Sequence, residues 1–374
     1  MQSGANNMKT RAIAIVLMLV IGSAAGLAAT GRSRRLPPPD RIQRAGPVKP
    51  VVEYANHLRV EEPETHASLS LFPISVSAAK VPAVDLTLTQ AVKQGVFEVG
   101  ELEGSEVNRV RVRNRAKEPV FIMAGEMLRG GKQDRIAGDD LIVPARSSLT
   151  IPVFCVEHGR WAGRESGFSV GHSLAGAGVR GAGARGGQGA VWSRVEEQQK
   201  ALRAPSTTGA LRSVHDSEAV REQMKPYLRA LSGLPDEHRR AVGIVAVVGD
   251  EIIAADLFSS RTLFQTMWPD LLEAYVIDAL EREGMRPRRH HHDEGRPALD
   301  AKDVLRWLNG MRSASMSPKD TPGDGDLYEV SGRDLSGGAL VYDCGVVHMG
   351  LFPGEVVIAR PDYNPIEFRR ERAR

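Results

Sequence analysis

The segment from Val242 to Phe258 limits the folds open to this chain more than any other. Val242-Gly243-Ile244-Val245-Ala246-Val247-Val248 is apolar throughout, Gly249-Asp250 follows, and Glu251-Ile252-Ile253-Ala254-Ala255-Asp256-Leu257-Phe258 is apolar again. Two β-branched runs joined by a glycine-containing pair predict an antiparallel hairpin. More strand-like stretches lie upstream: Val107 to Val112 alternates in part, while Pro119 to Met123 and Leu149 to Cys155 are continuous apolar runs. Pro152 inside the last of these suggests an edge or a bulge. Helical spacing of apolar residues begins at Val191 and is expected again over Asp216–Leu231, with Asp216 or Ser217 as cap, and over Thr262–Glu283. Pro226 is expected to break or kink the first of these, and Pro269 to mark a second start in the other. A helix around Asp300–Met311 and a β-rich stretch from Leu327 to Ile358 complete the pattern. The expected class is α+β, with mixed or antiparallel β layers in the N-terminal half and helices packed from the C-terminal half.

The N-terminus carries its own signal. Lys9 and Arg11 precede an apolar run from Ala12 to Ile21, and small residues follow to Ala29. This is the order of a secretory signal peptide over residues 1–28, so a secreted or periplasmic location is expected. The competing reading is an uncleaved anchor over residues 12–30, close to the ~20 residues that span a bilayer. Membrane association is expected only in that second case. Residues 29–65, with Pro37-Pro38-Pro39, Pro47, Pro50 and Glu61-Glu62-Pro63-Glu64, read as an extended linker. One α+β domain is expected over 66–360, followed by a basic tail over 361–374. Export would let Cys155 and Cys344 pair, although both also read as small buried hydrophobes.

Composition excludes some partners. The formal charge is only +3 and aromatic residues make up 5% of the 374 residues, which leaves neither an electrostatic footprint nor a stacking platform for nucleic acid. Several motifs fail on their context. Residues 176–189 contain Gly176-Ala177-Gly178-Val179-Arg180-Gly181, a formal dinucleotide-binding pattern, but no strand precedes it, so a flexible glycine-rich loop is expected. Gly125 to Lys132 is one residue too long for a phosphate loop, and Gln133 stands where a hydroxyl is needed. His290-His291-His292 lacks the ligand spacing of a metal site, and no metal motif is expected elsewhere. His348 alternates with apolar neighbours and reads as a satisfied buried histidine. The sequence names neither a cofactor nor an oligomeric state.

Two polar blocks, each following an apolar run, remain for chemistry: GEMLRGGKQDR (125–135) and CVEHGRW (155–161). Together with IPVFCVEHGRW (151–161), GQGAVWSRVEEQ (187–198), PSTTGAL (205–211) and GIVAVVGDEIIAADLF (243–258), the stretch from about Leu86 to Phe258 resembles a domain family named for its association with ADP-ribosylglycohydrolases and rhodanese-phosphatases. The resemblance implies nucleotide or ADP-ribose chemistry. It falls on Glu126, Gln133, Arg135, Glu157, Arg160, Trp161, Trp192 and Asp256.

The residues themselves allow a role for each. Glu126, directly after a buried strand, is suited to general acid or base work, with Glu157 as the second carboxylate. Lys132, Gln133, Arg135 and Arg160 are suited to hold a ligand's carbonyl or anionic groups, and Trp161 offers a flat face for a ring. Asp256 is either a third acidic member or an acid at the entrance of the next helix. The bland alternative pairs Glu126 with Arg135 and Glu157 with Arg160, as turns. A polar cleft lined by both blocks is expected to act on a phosphorylated, nucleotide- or ADP-ribose-like small molecule by hydrolytic, glycosyl- or phosphoryl-group chemistry. The alternatives are a non-catalytic small-molecule binding module and a structural envelope protein. The two-block cleft stands only if Glu126 and Glu157 face the same space.

Overall fold

The computed structural model describes residues 46–102, 106–160, 167–285 and 299–354. The signal or anchor segment, residues 29–45 of the linker, Trp161, the histidine run and the basic tail lie outside the described residues.

The hairpin forms as its sequence predicts. Ala241–Val248 and Glu251–Phe258 pair antiparallel from Gly243↔Leu257 to Val248↔Glu251, with a bulge beside Ala246 and Gly249 at φ +66° in the turn. It lies inside a nine-stranded antiparallel sheet, between Leu69–Val76 on one side and Gly345–Pro353 on the other. Leu335–Tyr342, Asp326–Ser331 and Ser315–Lys319 continue the sheet beyond Gly345–Pro353. Both sheet faces are covered. Leu71, Ile244, Ala246 and Phe258 pack against the helices Glu218–Leu231 and Arg261–Met285. Phe72, Ile74, Val245, Val247 and Leu257 face the helices Lys49–Asn56 and Ala301–Leu308. Burial on both faces explains why neither arm of the hairpin alternates polar with apolar.

The linker reading needs correction over residues 46–65. Lys49–Asn56 is a helix with Pro50 in its first turn, and Leu58–Val60 and Glu64–His66 pair with Leu69–Val76. Proline is compatible with a first helical turn, and Val51, Tyr54 and Ala55 supply a buried face. Three or four apolar side chains suffice when a ready-made sheet face lies beneath them.

A second sheet of six strands runs Phe168–Leu174, Glu126–Gly130, Arg135–Ala137, Ser148–Cys155, Arg109–Asn114 and Phe97–Gly100. A bridge between Gly100 and Gly167 brings its two ends together, closing the sheet around Val99, Val110, Val112, Leu128, Ile151 and Val153. Pro152 sits where Ser148–Cys155 exchanges partners, Pro152 opposing Arg109 and Val153 opposing Ala137. A missing N–H is harmless at such a handover. A small third sheet joins Leu141–Val143, Val120–Ile122 and Leu86–Thr87.

The glycine-rich segment is a second correction. It is not a loop but the first part of a helix, Ala177–Ala201, interrupted at Gly187 (φ +66°, ψ −159°). Its glycines serve close packing: a Cβ on Gly183 would lie 2.9 Å from the ring of Phe154, and one on Gly178 would lie 2.5 Å from the Arg194 guanidinium. Tertiary contact overrides the ~1 kcal/mol per residue that glycine costs a helix. Pro226 and Pro269 both lie inside unbroken helices, and Ser217 caps Glu218–Leu231 as its sequence predicts. Cys155 is buried and Cys344 exposed, and both are free thiols, so they form no disulfide and only one is a buried hydrophobe. Among the described residues no helix is long and apolar enough to cross a membrane.

Candidate functional site

The most concentrated polar chemistry lies on the helix-covered face of the large sheet. Asp256 in the returning arm of the hairpin and His348 on the adjacent strand are held by the register Phe258↔His348 and Asp256↔Gly350. His348 Nε2 is 3.3 Å from Asp256 Oδ1, and His348 Nδ1 is 2.7 Å from Asp140 Oδ2. Asp140 Oδ1 accepts from the Ala124 amide at 2.8 Å. Arg180, from the glycine-rich helix, donates both terminal nitrogens to Asp256 at 2.7 and 2.8 Å. The Tyr275 hydroxyl donates to the same carboxylate. All five side chains are buried. Gly125 makes room for this arrangement, because a Cβ there would lie 2.5 Å from Arg180 Cδ and the residue sits at φ +94°.

The charges set one another. Burial alone would raise Asp256, but the Arg180 guanidinium and His348 hold it well below the usual carboxylate range. Burial would likewise lower His348, yet Asp140 and Asp256 push it up to about 9, so the imidazole is a cation at neutral pH. Glu126 behaves in the opposite way. Burial, against a hydrogen bond from the Met123 amide at 2.7 Å and with the charges of Asp270 and Asp140 adding to it, pushes its carboxyl up to about 8. It is therefore protonated at neutral pH, and its Oε1 has no hydrogen-bond partner among the described residues.

A narrow cleft of about 90 Å³ opens over His348. Asp140, Lys319, Tyr328, Glu329 and Phe352 line it, and Gly337, Gly338 and Gly350 keep its floor low. Lys319 pairs with Asp139 at 2.5 Å at the rim. A Cβ on Gly350 would meet His348 Cε1 at 3.4 Å and Asp256 Oδ1 at 3.6 Å, ordinary contact distances that show how directly this glycine overlies the pair.

The second polar block builds a different network. Glu157 accepts from Arg160 Nε and Nη2 at 2.9 and 2.6 Å, from the Asp134 amide at 3.1 Å and from the Thr208 hydroxyl at 2.8 Å. Burial opposes its ionisation, but Arg160 and Thr208 hold it below the usual range. Gln133 donates to the Glu157 carbonyl at 2.8 Å, and Arg160 also reaches the Gly131 carbonyl at 3.0 Å. This clamp ties residues 130–134 and 157–160 to the 205–211 loop. Glu157→Ala is expected to cost about 3 kcal/mol in urea denaturation, as for removal of one partner of a buried pair. A cost under about 0.5 kcal/mol would mean that surrounding groups take over its acceptors.

Each residue singled out in the sequence now has a place except Trp161, which lies outside the described residues. Glu126 and Asp256 flank the same buried region, joined through Asp140 and His348. Glu157, Gln133 and Arg160 form the clamp, which shares no hydrogen-bond partner with Glu126. The sequence places both blocks at one cleft; among the described residues their hydrogen-bond networks are separate. Arg135 goes elsewhere again, forking onto Glu101 at 2.9 and 3.1 Å with Phe168 5.1 Å from its guanidinium carbon. It does not pair with Glu126. The Lys132 amide donates to that same Glu101 at 2.7 Å. Trp192 is half-buried and meets exposed His158 edge to face at 4.5 Å. His348 is buried and paired, as its pattern predicts. Sequence reasoning missed Asp140, Arg180 and Tyr275. Arg180 had a trace: a cation in a run of Ala and Gly fits a close-packed helix as well as a loop.

No curated protein matches this chain, and no solved structure matches it. The sequence model of one family does, over residues 57–352, well beyond the stretch from Leu86 to Phe258 that carries the visible motifs. The match takes in His348 and every strand around it. The chain belongs to the ARG and Rhodanese-Phosphatase-superfamily-associated Protein domain family (ARPP-1).

Proposed function

We propose that this chain is an exported enzyme acting on the sugar portion of a phosphorylated, nucleotide- or ADP-ribose-like small molecule, bound in the cleft over His348. One observation carries the reading: a buried imidazolium held between two carboxylates, Asp140 and Asp256, beneath an open cleft. Replacing such a charged group with apolar residues is often neutral or stabilising, so its presence in a core favours a functional role. In this reading Asp140 handles the proton, taking the part that the sequence suggested for Glu126 and Glu157. His348 orients it through the 2.7 Å contact at Nδ1, and Arg180, Tyr275 and Asp256 fix the imidazolium. Tyr328 and Phe352 flank a ring, while Lys319 and Glu329 meet hydroxyl or phosphate oxygens at the rim. A cleft of about 90 Å³ is well below the ~300–1,000 Å³ of sites for whole drug-sized ligands, so only the reacting group enters.

A second reading, a non-catalytic binding module, is favoured by the way the floor charges neutralise one another within the protein. Thermal shift and product analysis with ADP-ribose, AMP and ribose 5-phosphate separate the two. The expected result is a rise in melting temperature with ADP-ribose, its loss in Gly350→Ala, and turnover by the native chain that Asp140→Asn abolishes. Binding without turnover would select the module. No response to any of these compounds would sink both.

A further inference from the structure

Outside that cleft the closed six-stranded sheet carries a strongly basic outer face. Arg109, Arg111 and Arg113 alternate with buried Val110, Val112 and Asn114, so all three arginines point outward from one strand. Arg111 and Arg113 line an open groove of about 890 Å³ with Arg115, Arg146, Glu98 and Ser148. Glu98 is engaged by Arg115 at 2.9 Å, and Glu101 at the groove's end by Arg135. Arg111, Arg113 and Arg146 have no side-chain partner among the described residues. Free guanidiniums in one concavity repel one another unless something anionic enters it.

Arg146 adds an independent sign. It sits at φ +53° in the turn before Ser148, a left-handed conformation for which glycine is the unstrained choice. Backbone strain kept at a cation that faces a groove is a mark of function rather than of packing.

We infer that this groove binds a linear acidic polysaccharide. Successive outward residues on a strand are about 6.7 Å apart, so Arg111 and Arg113 suit anionic groups spaced along an extended chain. Glu98 opposes Arg113, and Ser148 opposes it from the other side, so carboxylate and hydroxyl groups alternate with the cations. That mixture fits a polymer that alternates charge with hydroxyls. Single-stranded nucleic acid fits less well, because among the described residues no aromatic side chain lines the groove to stack a base. A flat membrane surface does not enter a concave groove, and among the described lining residues the one apolar side chain, Val99, is buried and does not project to insert. With no aromatic platform, affinity rests on charge, and neutral glycans are not expected to bind.

The test is binding of the whole chain to polygalacturonate, compared with dextran, oligo(dT) and vesicles containing phosphatidylglycerol. Polygalacturonate is expected to bind with an affinity that falls as salt rises, and dextran is expected not to bind. Arg111→Glu/Arg113→Glu is expected to weaken binding roughly tenfold or more, two exposed contacts having turned repulsive. Arg146→Gly should weaken it severalfold while leaving the melting temperature unchanged or higher, since it relieves the turn. Arg239→Glu/Arg240→Glu, which removes the same charge from another exposed site, should leave binding intact. Tighter binding of oligo(dT) or of vesicles, equal losses in both double variants, or no binding to polygalacturonate would each overturn the proposal.

Discussion

Asp256→Ala is expected to cost about 3–5 kcal/mol of folding stability, the range for stripping one partner from a buried ion pair. The reason is the company that Asp256 keeps. Arg180 makes two hydrogen bonds to it, Tyr275 one, and His348 lies 3.3 Å away, all with buried side chains. Without the carboxylate two buried cations face each other across a void. A whole domain is stable by only about 5–15 kcal/mol, so the variant is expected to populate unfolded chain at physiological temperature. Asp256→Leu/Arg180→Met removes both charges at similar volume and is expected to regain most of the loss. Urea denaturation of the native chain and the two variants measures this. A single-variant cost below 1 kcal/mol, or a double variant no better than Asp256→Ala, would show that the network does not act as a unit.

Stability is also expected to fall as pH rises from about 6.5 to 9. His348 titrates near 9 when folded and near 6.5 when unfolded, so the folded state keeps a proton that the unfolded chain gives up across that window. Its contribution is complete below pH 6.5 and is lost as pH climbs through 9, about 3 kcal/mol in all. Glu126 acts in the same direction. It is protonated in the fold up to about pH 8 but ionises near 4.5 in the unfolded chain, so its neutral burial is penalised increasingly from pH 4.5 to 8, by about 5 kcal/mol. Asp256 acts oppositely, since its depressed value adds stability that is present above pH 3.8 and lost in acid. The curve should therefore peak near pH 4, above the 3.8 at which Asp256 has given its stability and below the 4.5 at which Glu126 begins to remove it. Glu126→Gln is expected to flatten the alkaline limb and to exceed the native chain in stability by roughly 3–5 kcal/mol above pH 8, because the amide is neutral at every pH and folds without taking up a proton or burying a charge. Chemical denaturation across pH 5–9 measures both slopes. A native profile that is level or rising over that window would contradict the assignment.

How much of this was legible beforehand depends on whether the information was local. The hairpin at Val242–Phe258 was legible because two β-branched arms and a glycine turn admit one local solution. Ser217 and Asp300 were legible as helix starts because capping is satisfied within three residues. The segment at 46–65 was misread because its prolines are local while the sheet face that receives Val51 and Tyr54 is built from residues 72, 245 and 346 and beyond. The glycine-rich helix was misread for the same reason. Its propensity is poor, and contacts with distant Phe154, Asp256 and Asp278 and with Arg194 make a glycine-rich helix worthwhile there.

The candidate site divides along the same line. Family membership and the chemical character of the polar blocks reside in the residues themselves, and Asp256 and Glu126 stand out on an apolar background in any reading. Their partners do not. A turn that pairs Glu126 with Arg135, nine residues away, is the bland alternative the sequence offers, but Arg135 turns to Glu101 on the closed sheet. Glu157 was set beside Glu126 because both follow apolar runs, and the fold gives them disjoint partners. The sequence alone determined the hairpin, the capped helices and the residue types able to carry charge in a core. Only the tertiary structure decided which charges meet, because Asp140, Arg180, Asp256, Tyr275 and His348 come from five separate elements or turns. A buried charge is tolerable only where distant segments bring it a partner.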